Sequence, residues 1–142
     1  MTDQTTQSPA VETTEQVSAK KKKTKRSVSK GQVHILATFN NTLVSFTDPS
    51  GAVLATSSAG ACGFRGSKKG TAYAAQVASE KAGQNAKQQY GFKSADVFVK
   101  GIGLGRDASI RALASLDIQV ESIQDLTGVP HGGVRPRKAR RV

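Results

Sequence analysis

The chain of 142 residues has no tryptophan, one cysteine, one methionine and two histidines. With Cys62 alone, no internal disulfide can form, and one cysteine with two histidines is a poor set of zinc ligands. The expectation is therefore no metal, no cofactor and a reducing compartment. No run approaches the roughly 18–20 apolar residues of a membrane span, so no membrane partner is expected. Residues 1–17 are polar and rich in Thr and Gln, without the apolar stretch of a secretory leader. Asp3, Glu12 and Glu15 precede the first cation, Lys20, which fits organellar targeting poorly. A cytoplasmic protein is the expectation.

Acidic residues are the other shortage. Ten Asp and Glu face 21 Lys and Arg, for a formal charge of +11. After Asp125 there is no carboxylate side chain at all. The last fifteen residues carry Arg135, Arg137, Lys138, Arg140 and Arg141. A second run, Lys20-Lys21-Lys22-Lys23-Thr24-Lys25-Arg26, lies near the other end. The middle, by contrast, is nearly balanced in charge. Basic arms on an ordinary domain point to a polyanion, and nucleic acid is the natural one. The division expected is a disordered basic extension over 1–31, one domain over 32–127 and an extended basic tail over 128–142.

Within the middle, Val33, Ile35 and Ala37 alternate with His34, Leu36 and Thr38, as a strand requires. Asn40-Asn41 makes a turn before a second strand, Thr42–Thr47. Asp48-Pro49-Ser50-Gly51 makes another before a third, from Ala52 to Thr56 or Ser58. Residues 57–70 read as a flexible basic loop holding four glycines, Arg65, Lys68 and Lys69. A helix is expected from about Thr71 to Gln89, capped by Gly91. Its core face should hold Tyr73 and Val77, continued by Ala74, Ala78 and Ala82. A strand over Ala95–Lys100 follows. Then come a Gly101–Gly105 loop and a helix from Arg106 with Ile110, Leu113 and Leu116 as its apolar stripe. The last strand should run from Ile118 to Ile123 or Leu126. The fold class is α/β: a mixed sheet in the order βββαβαβ with two packed helices, flanked by basic tails.

Catalysis needs convergent groups, and Asp48, Glu80, Asp96, Asp107, Asp117, Glu121 and Asp125 show no local clustering. No catalytic residue is assigned, and an enzyme is not expected. Gly101-x-Gly103-x-Gly105 opens a helix but is neither a dinucleotide fingerprint nor a P-loop. It suits either RNA phosphate, with Arg106 adding a cation, or a structural turn. Gly63-Phe64-Arg65-Gly66-Ser67-Lys68-Lys69 exposes backbone donors beside three cations. Phe64 is suited to stack on a base or to anchor the loop. Cys62 reads as a small buried residue and His34 as a packing residue. His131 lies in the tail, placed either to meet RNA or to make a local contact. The tail arginines and Lys138 suit backbone phosphate.

Several segments together resemble one family. They are Ala37-Thr38-Phe39-Asn40-Asn41-Thr42, Ser58-Ala59-Gly60, Gly63–Lys69, Ala74-Ala75-Gln76, Lys100–Arg106, Ile110-Arg111-Ala112-Leu113 and Pro130-His131-Gly132-Gly133-x-Arg135-Pro136. In this order and spacing, over about residues 30–142, the chain is similar to the bacterial small-subunit ribosomal protein eleven family. That resemblance implies a structural protein of the subunit's platform that binds ribosomal RNA. It would lie near the messenger RNA exit path and the exit tRNA site, beside small-subunit proteins seven, eighteen and twenty-one. No obligate homo-oligomer is implied. The RNA-binding residues it implies are Asn40, Asn41, Arg65, Lys68, Lys69, Arg106, Arg135, Arg137, Lys138, Arg140 and Arg141; the residue reading adds Phe64, Ser67 and His131 to the expected RNA-binding set. Gly132 stands where many relatives have Asn, Ile102 where the loop usually has Pro, and Val134 where Cys is common. The alternative is a free regulatory RNA-binding protein outside the ribosome.

Overall fold

The computed structural model describes residues 26–141. The run Lys20–Lys25 and most of the N-terminal extension expected to be disordered lie outside the described residues. Five strands and two helices form in the expected order: β1 (Lys30–Ala37), β2 (Thr42–Thr47), β3 (Val53–Ser58), α1 (Ala72–Tyr90), β4 (Ser94–Lys100), α2 (Gly105–Ser115) and β5 (Gln119–Asp125). A short 3-10 turn over Gly66–Gly70 precedes α1. The sheet order is β3-β2-β1-β4-β5. β1, β2 and β3 pair antiparallel, whereas β4 lies parallel to both β1 and β5.

This order follows from local chemistry and chain geometry. The Asp48 carboxylate accepts from the Ser50 hydroxyl (2.6 Å) and the Ala52 N–H (2.8 Å), so the β2–β3 turn is tied by its own side chain. Both α connections step the same way across the sheet, from β3 over to β4 and from β4 to β5. Right-handed crossovers then put both helices on one face. Val33, Ile35, Val44, Phe46, Val97 and Val99 are buried beneath them, while Leu36 and Leu43 stay partly exposed on the open face. Phe46 and Phe92 meet edge to face at 5.3 Å, with both rings fully buried. Such a pair contributes about 0.5–1.5 kcal/mol beyond its area.

Four local readings need correction. α1 does not bury Tyr73, which is 66% exposed, and Val77 is only half-buried. Its core face is Ala74, Ala75, Ala78, Ser79, Ala82, Gly83 and Ala86. Small side chains win because the helix lies close on the sheet and against α2. Residues 57–70 are not an unstructured loop: hydrogen-bonded turns at 59–63 lead into the 3-10 turn. Cys62 is half-buried rather than buried, with Sγ 3.5 Å from the Ser57 hydroxyl. β5 begins at Gln119, because Ile118 turns into the core ahead of it and Asp117 takes a left-handed φ of 59°. Other details match their readings. Thr71 caps α1 by accepting from the Ala74 N–H, and Gly91 ends it at φ 67°, donating to the Lys87 carbonyl. His34 packs on Phe98, rings parallel at 5.2 Å, and contacts the Gln32 side chain.

Candidate nucleic-acid interface

The strand directions bring distant segments to one end of the sheet. β1, β3, β4 and β5 all finish there, and β2 starts there. The β1–β2 loop, the 59–70 segment, the Gly101–Gly105 turn and the root of the C-terminal tail therefore share this end. α1 and α2 both begin at it. Their N-termini add partial positive charge of about half a unit each. The opposite end holds the Asp48 turn, Gly91 and the entry of the chain, where the Val28 N–H donates to the Tyr90 carbonyl.

The β1–β2 loop forms the centre. Thr38 and Asn41 bridge it: the Thr38 hydroxyl donates to the Asn41 carbonyl (3.0 Å) and accepts from the Asn41 N–H (3.1 Å). Asn41 Oδ1 accepts from the Thr42 N–H at 2.9 Å, which leaves its amide NH₂ as the free end. Asn40 points to solvent. Neighbouring glycines wedge this loop from two sides. A Cβ on Gly70 would stand 2.2 Å from the Phe39 carbonyl oxygen; one on Gly103 would stand 2.3 Å from that of Thr38. No residue with a side chain fits either place, so glycine here sets the spacing between loops.

In the basic segment, the Arg65 guanidinium donates to the Gly60 (2.8 Å) and Phe64 (3.2 Å) carbonyls. That leaves other donors of the fork facing solvent. Phe64 is half-buried and meets Tyr73 edge to face at 5.8 Å, which is the anchoring geometry. The exposed Tyr73 thus has a role in holding the loop. Ser67 and Lys68 are exposed and Lys69 is half-buried.

The Gly101–Gly105 turn spends two of its donors within the fold. The Gly101 N–H donates to the Thr127 hydroxyl (3.1 Å) and the Gly103 N–H to the Ala37 carbonyl (2.9 Å). Arg106, expected to face phosphate, instead reaches across the sheet end. Nη1 donates to the Gly101 carbonyl (2.8 Å) and Nη2 to Asp125 Oδ2 (2.5 Å). Asp125 Oδ1 also accepts from the Thr127 hydroxyl (2.6 Å) and N–H (2.9 Å). The Leu126 N–H donates to the Val99 carbonyl at 2.8 Å. These bonds form a clasp around the root of the tail. The Thr127 hydroxyl and N–H, then the Arg106 guanidinium, hold the Asp125 carboxyl down at about 2.

Beyond the clasp the tail is extended, with a left-handed bend at Gly132 (φ 65°) beside the exposed His131. Arg135, Arg137, Lys138, Arg140 and Arg141 are all exposed. The ion pairs among the described residues are Lys30–Glu121, Lys87–Asp117 and Arg106–Asp125, so none uses a tail cation. The tail returns to the β1–β2 loop, where Arg137, Lys138 and Arg140 face Thr38, Phe39 and Asn40 across a groove of about 530 Å³. Asn40, the 63–69 segment and the tail are thus brought to one end of the molecule. Arg106 is there too, but committed to Asp125. Sequence reasoning missed Phe39, which follows β1 and is 60% exposed, and the clasp role of Asp125 and Thr127. An aromatic residue beside two asparagines in a loop was the available signal for Phe39. Among the described residues, no group of His, Cys, Asp and Glu is placed to hold a metal ion.

A small two-layer α/β domain with a basic loop segment and an exposed basic tail at one end of the sheet belongs to the class of polyanion-binding modules. Comparison with known proteins narrows the class. Residues 31–141 match the family of ribosomal protein S11. The chain is 56% identical over 121 residues to small ribosomal subunit protein uS11c of Cyanidioschyzon merolae, covering 85% of this chain and 99% of that protein. It is 54% identical over 123 residues to small ribosomal subunit protein uS11 of Coprothermobacter proteolyticus (87% and 98% covered). It is 58% identical over 118 residues to uS11c of Nephroselmis olivacea (83% and 90% covered). The chain belongs to the ribosomal protein S11 family. It is therefore a structural, RNA-binding ribosomal protein that serves translation, not an enzyme.

Proposed function

We propose that the protein binds and stabilises ribosomal RNA in the platform of the small subunit, near the messenger RNA exit path and the exit tRNA site. Small-subunit proteins seven, eighteen and twenty-one are its neighbours in this reading. One observation carries it: five exposed tail cations, the Arg65–Lys69 segment and two helix N-termini gather at one end of the sheet. Charge neutralisation and shape recognition need nothing more. Asn40 and Asn41 supply amides for sugar, phosphate or base edges. Arg65, Ser67, Lys68 and Lys69 contact backbone phosphate from one side, and Arg135 onward from the other. Phe64 holds the basic segment, Arg106 holds the root of the tail, and His131 meets RNA at the bend.

The test is co-sedimentation from native lysate at low and high salt, with the protein quantified in free, small-subunit and whole-ribosome fractions. Stoichiometric recovery with small subunits that survives high salt is expected. A mainly free pool, released by mild salt, would favour a regulatory RNA-binding protein outside the ribosome. Crosslinking in the intact subunit should reach proteins seven, eighteen and twenty-one; its absence would remove those neighbours.

A further inference from the structure

The groove between the β1–β2 loop and the returning tail combines two unlike walls. On one side stand Thr38, Phe39 and Asn40; on the other, Arg137, Lys138 and Arg140. Phe46 and Phe92 are fully buried, whereas Phe39 is 60% exposed. Leaving a phenyl ring in water forgoes the favourable transfer that puts the other two inside. Its backbone is pinned by the Gly70 contact, so the ring is presented by a fixed support. The Thr38 hydroxyl is spent within the loop, and the Asn40 side chain is exposed at the groove. The volume, about 530 Å³, is that of a ligand-sized pocket, typically about 300–1,000 Å³.

Each wall on its own has a plain explanation. Cations alone suit any polyanion, and an aromatic ring alone suits any apolar partner. Their juxtaposition is more selective. A base in a duplex has both faces covered by its neighbours, and only an unpaired base offers a free face to a side-chain ring. The phosphates on either side of such a base remain charged and need cations close by.

We propose that this groove is a binding site for a single unpaired RNA nucleotide. The base stacks on Phe39, Asn40 meets its edge, and Arg137, Lys138 and Arg140 hold the flanking phosphates. The proposal rests on the RNA-binding reading above and deepens it from general backbone contact to one flipped-out residue.

The test uses the full chain and two RNA hairpins of equal charge. One carries a single bulged adenosine; the other carries an abasic nucleotide at the same position. Both are titrated by fluorescence anisotropy at low salt. The intact protein should bind the base-bearing hairpin about 5- to 150-fold more tightly, the range expected for one base–aromatic stack. Phe39→Ala should bind both hairpins equally, at the abasic level, with an unchanged melting temperature because the ring is not in the core. Phe39→Tyr should keep the preference, and Phe39→Leu should lose most of it. Equal binding of the two hairpins by the intact protein would overturn the site but leave RNA binding standing. Failure of both hairpins to bind would instead remove the RNA-binding reading. A glutamate-rich peptide that binds the intact protein but not Phe39→Ala, while the hairpin preference is absent, would reassign the groove to a protein partner and overturn the proposal.

Discussion

Replacing Arg135, Arg137, Lys138, Arg140 and Arg141 together with glutamine removes five cations that have no internal partner in the folded domain. Because none is held in an ion pair among the described residues, each is available to displace a counterion from RNA. The slope of log affinity against log salt falls by about 0.7 to 0.9 for each neutralised phosphate contact. Five contacts therefore account for about 3.5 to 4.5 units of slope. Between 50 and 200 mM salt the intact protein should lose about 100- to 500-fold more affinity than the variant. The assay is a salt series with a fragment of small-subunit ribosomal RNA, read by filter binding or anisotropy. Arg65, Lys68 and Lys69 remain in the variant, so residual salt-dependent binding is expected. An unchanged slope would refute the electrostatic role of the tail, however much the absolute affinity moved. The folded domain supplies the control. The tail cations make no contact with the core, so the melting temperature should stay where it was.

Three further predictions concern how the sheet end is held together. Asp125→Asn removes a negative charge, so electrostatics alone would tighten RNA binding. Loss of the Arg106–Asp125–Thr127 clasp should instead free the tail and weaken binding, and this opposite sign should vanish in a chain truncated after Gly128. Tighter binding by Asp125→Asn would eliminate the positioning role. The pH dependence has a definite sign as well. The carboxyl sits at about 2, below its ordinary value, so the clasp contributes fully above about pH 4 and is lost as pH falls toward 2. Amide exchange at Thr127 and Gly101 should follow that window. Gly103→Ala would press a Cβ to 2.3 Å from the Thr38 carbonyl oxygen and 2.8 Å from its carbon. Both are backbone atoms that cannot swing aside, so a loss of about 1–3 kcal/mol is expected from the denaturation midpoint. No loss would mean that the β1–β2 loop is not wedged by the Gly101–Gly105 turn.

Features set by neighbours along the chain were readable before any fold was known. The alternation Val33, Ile35, Ala37 marks β1, Asp48-Pro49-Ser50-Gly51 marks the β2–β3 turn, and Gly91 ends α1, because periodicity, fixed φ and left-handed φ are local properties. The right-handed rule fixes the face that the helices cover, but that β4 joins β1 rather than β3 is decided only in the folded sheet. Tyr73 resisted this reasoning. Its size and its spacing to Val77 suggested core, but close packing selected the alanines and left Tyr73 to hold Phe64.

By itself, then, the sequence determined the order of elements, the polyanion-binding character and the two basic arms, because charge and periodicity add up along the chain. Only the tertiary structure decided which charges are free. Arg106 and Asp125 lie 19 residues apart, and nothing local marks them as partners. The ends of four strands and the starts of two helices had to meet before one cation became a clasp, five remained available, and Phe39 stood exposed opposite three of them. Such pairings depend on distances through space, which a linear pattern does not carry.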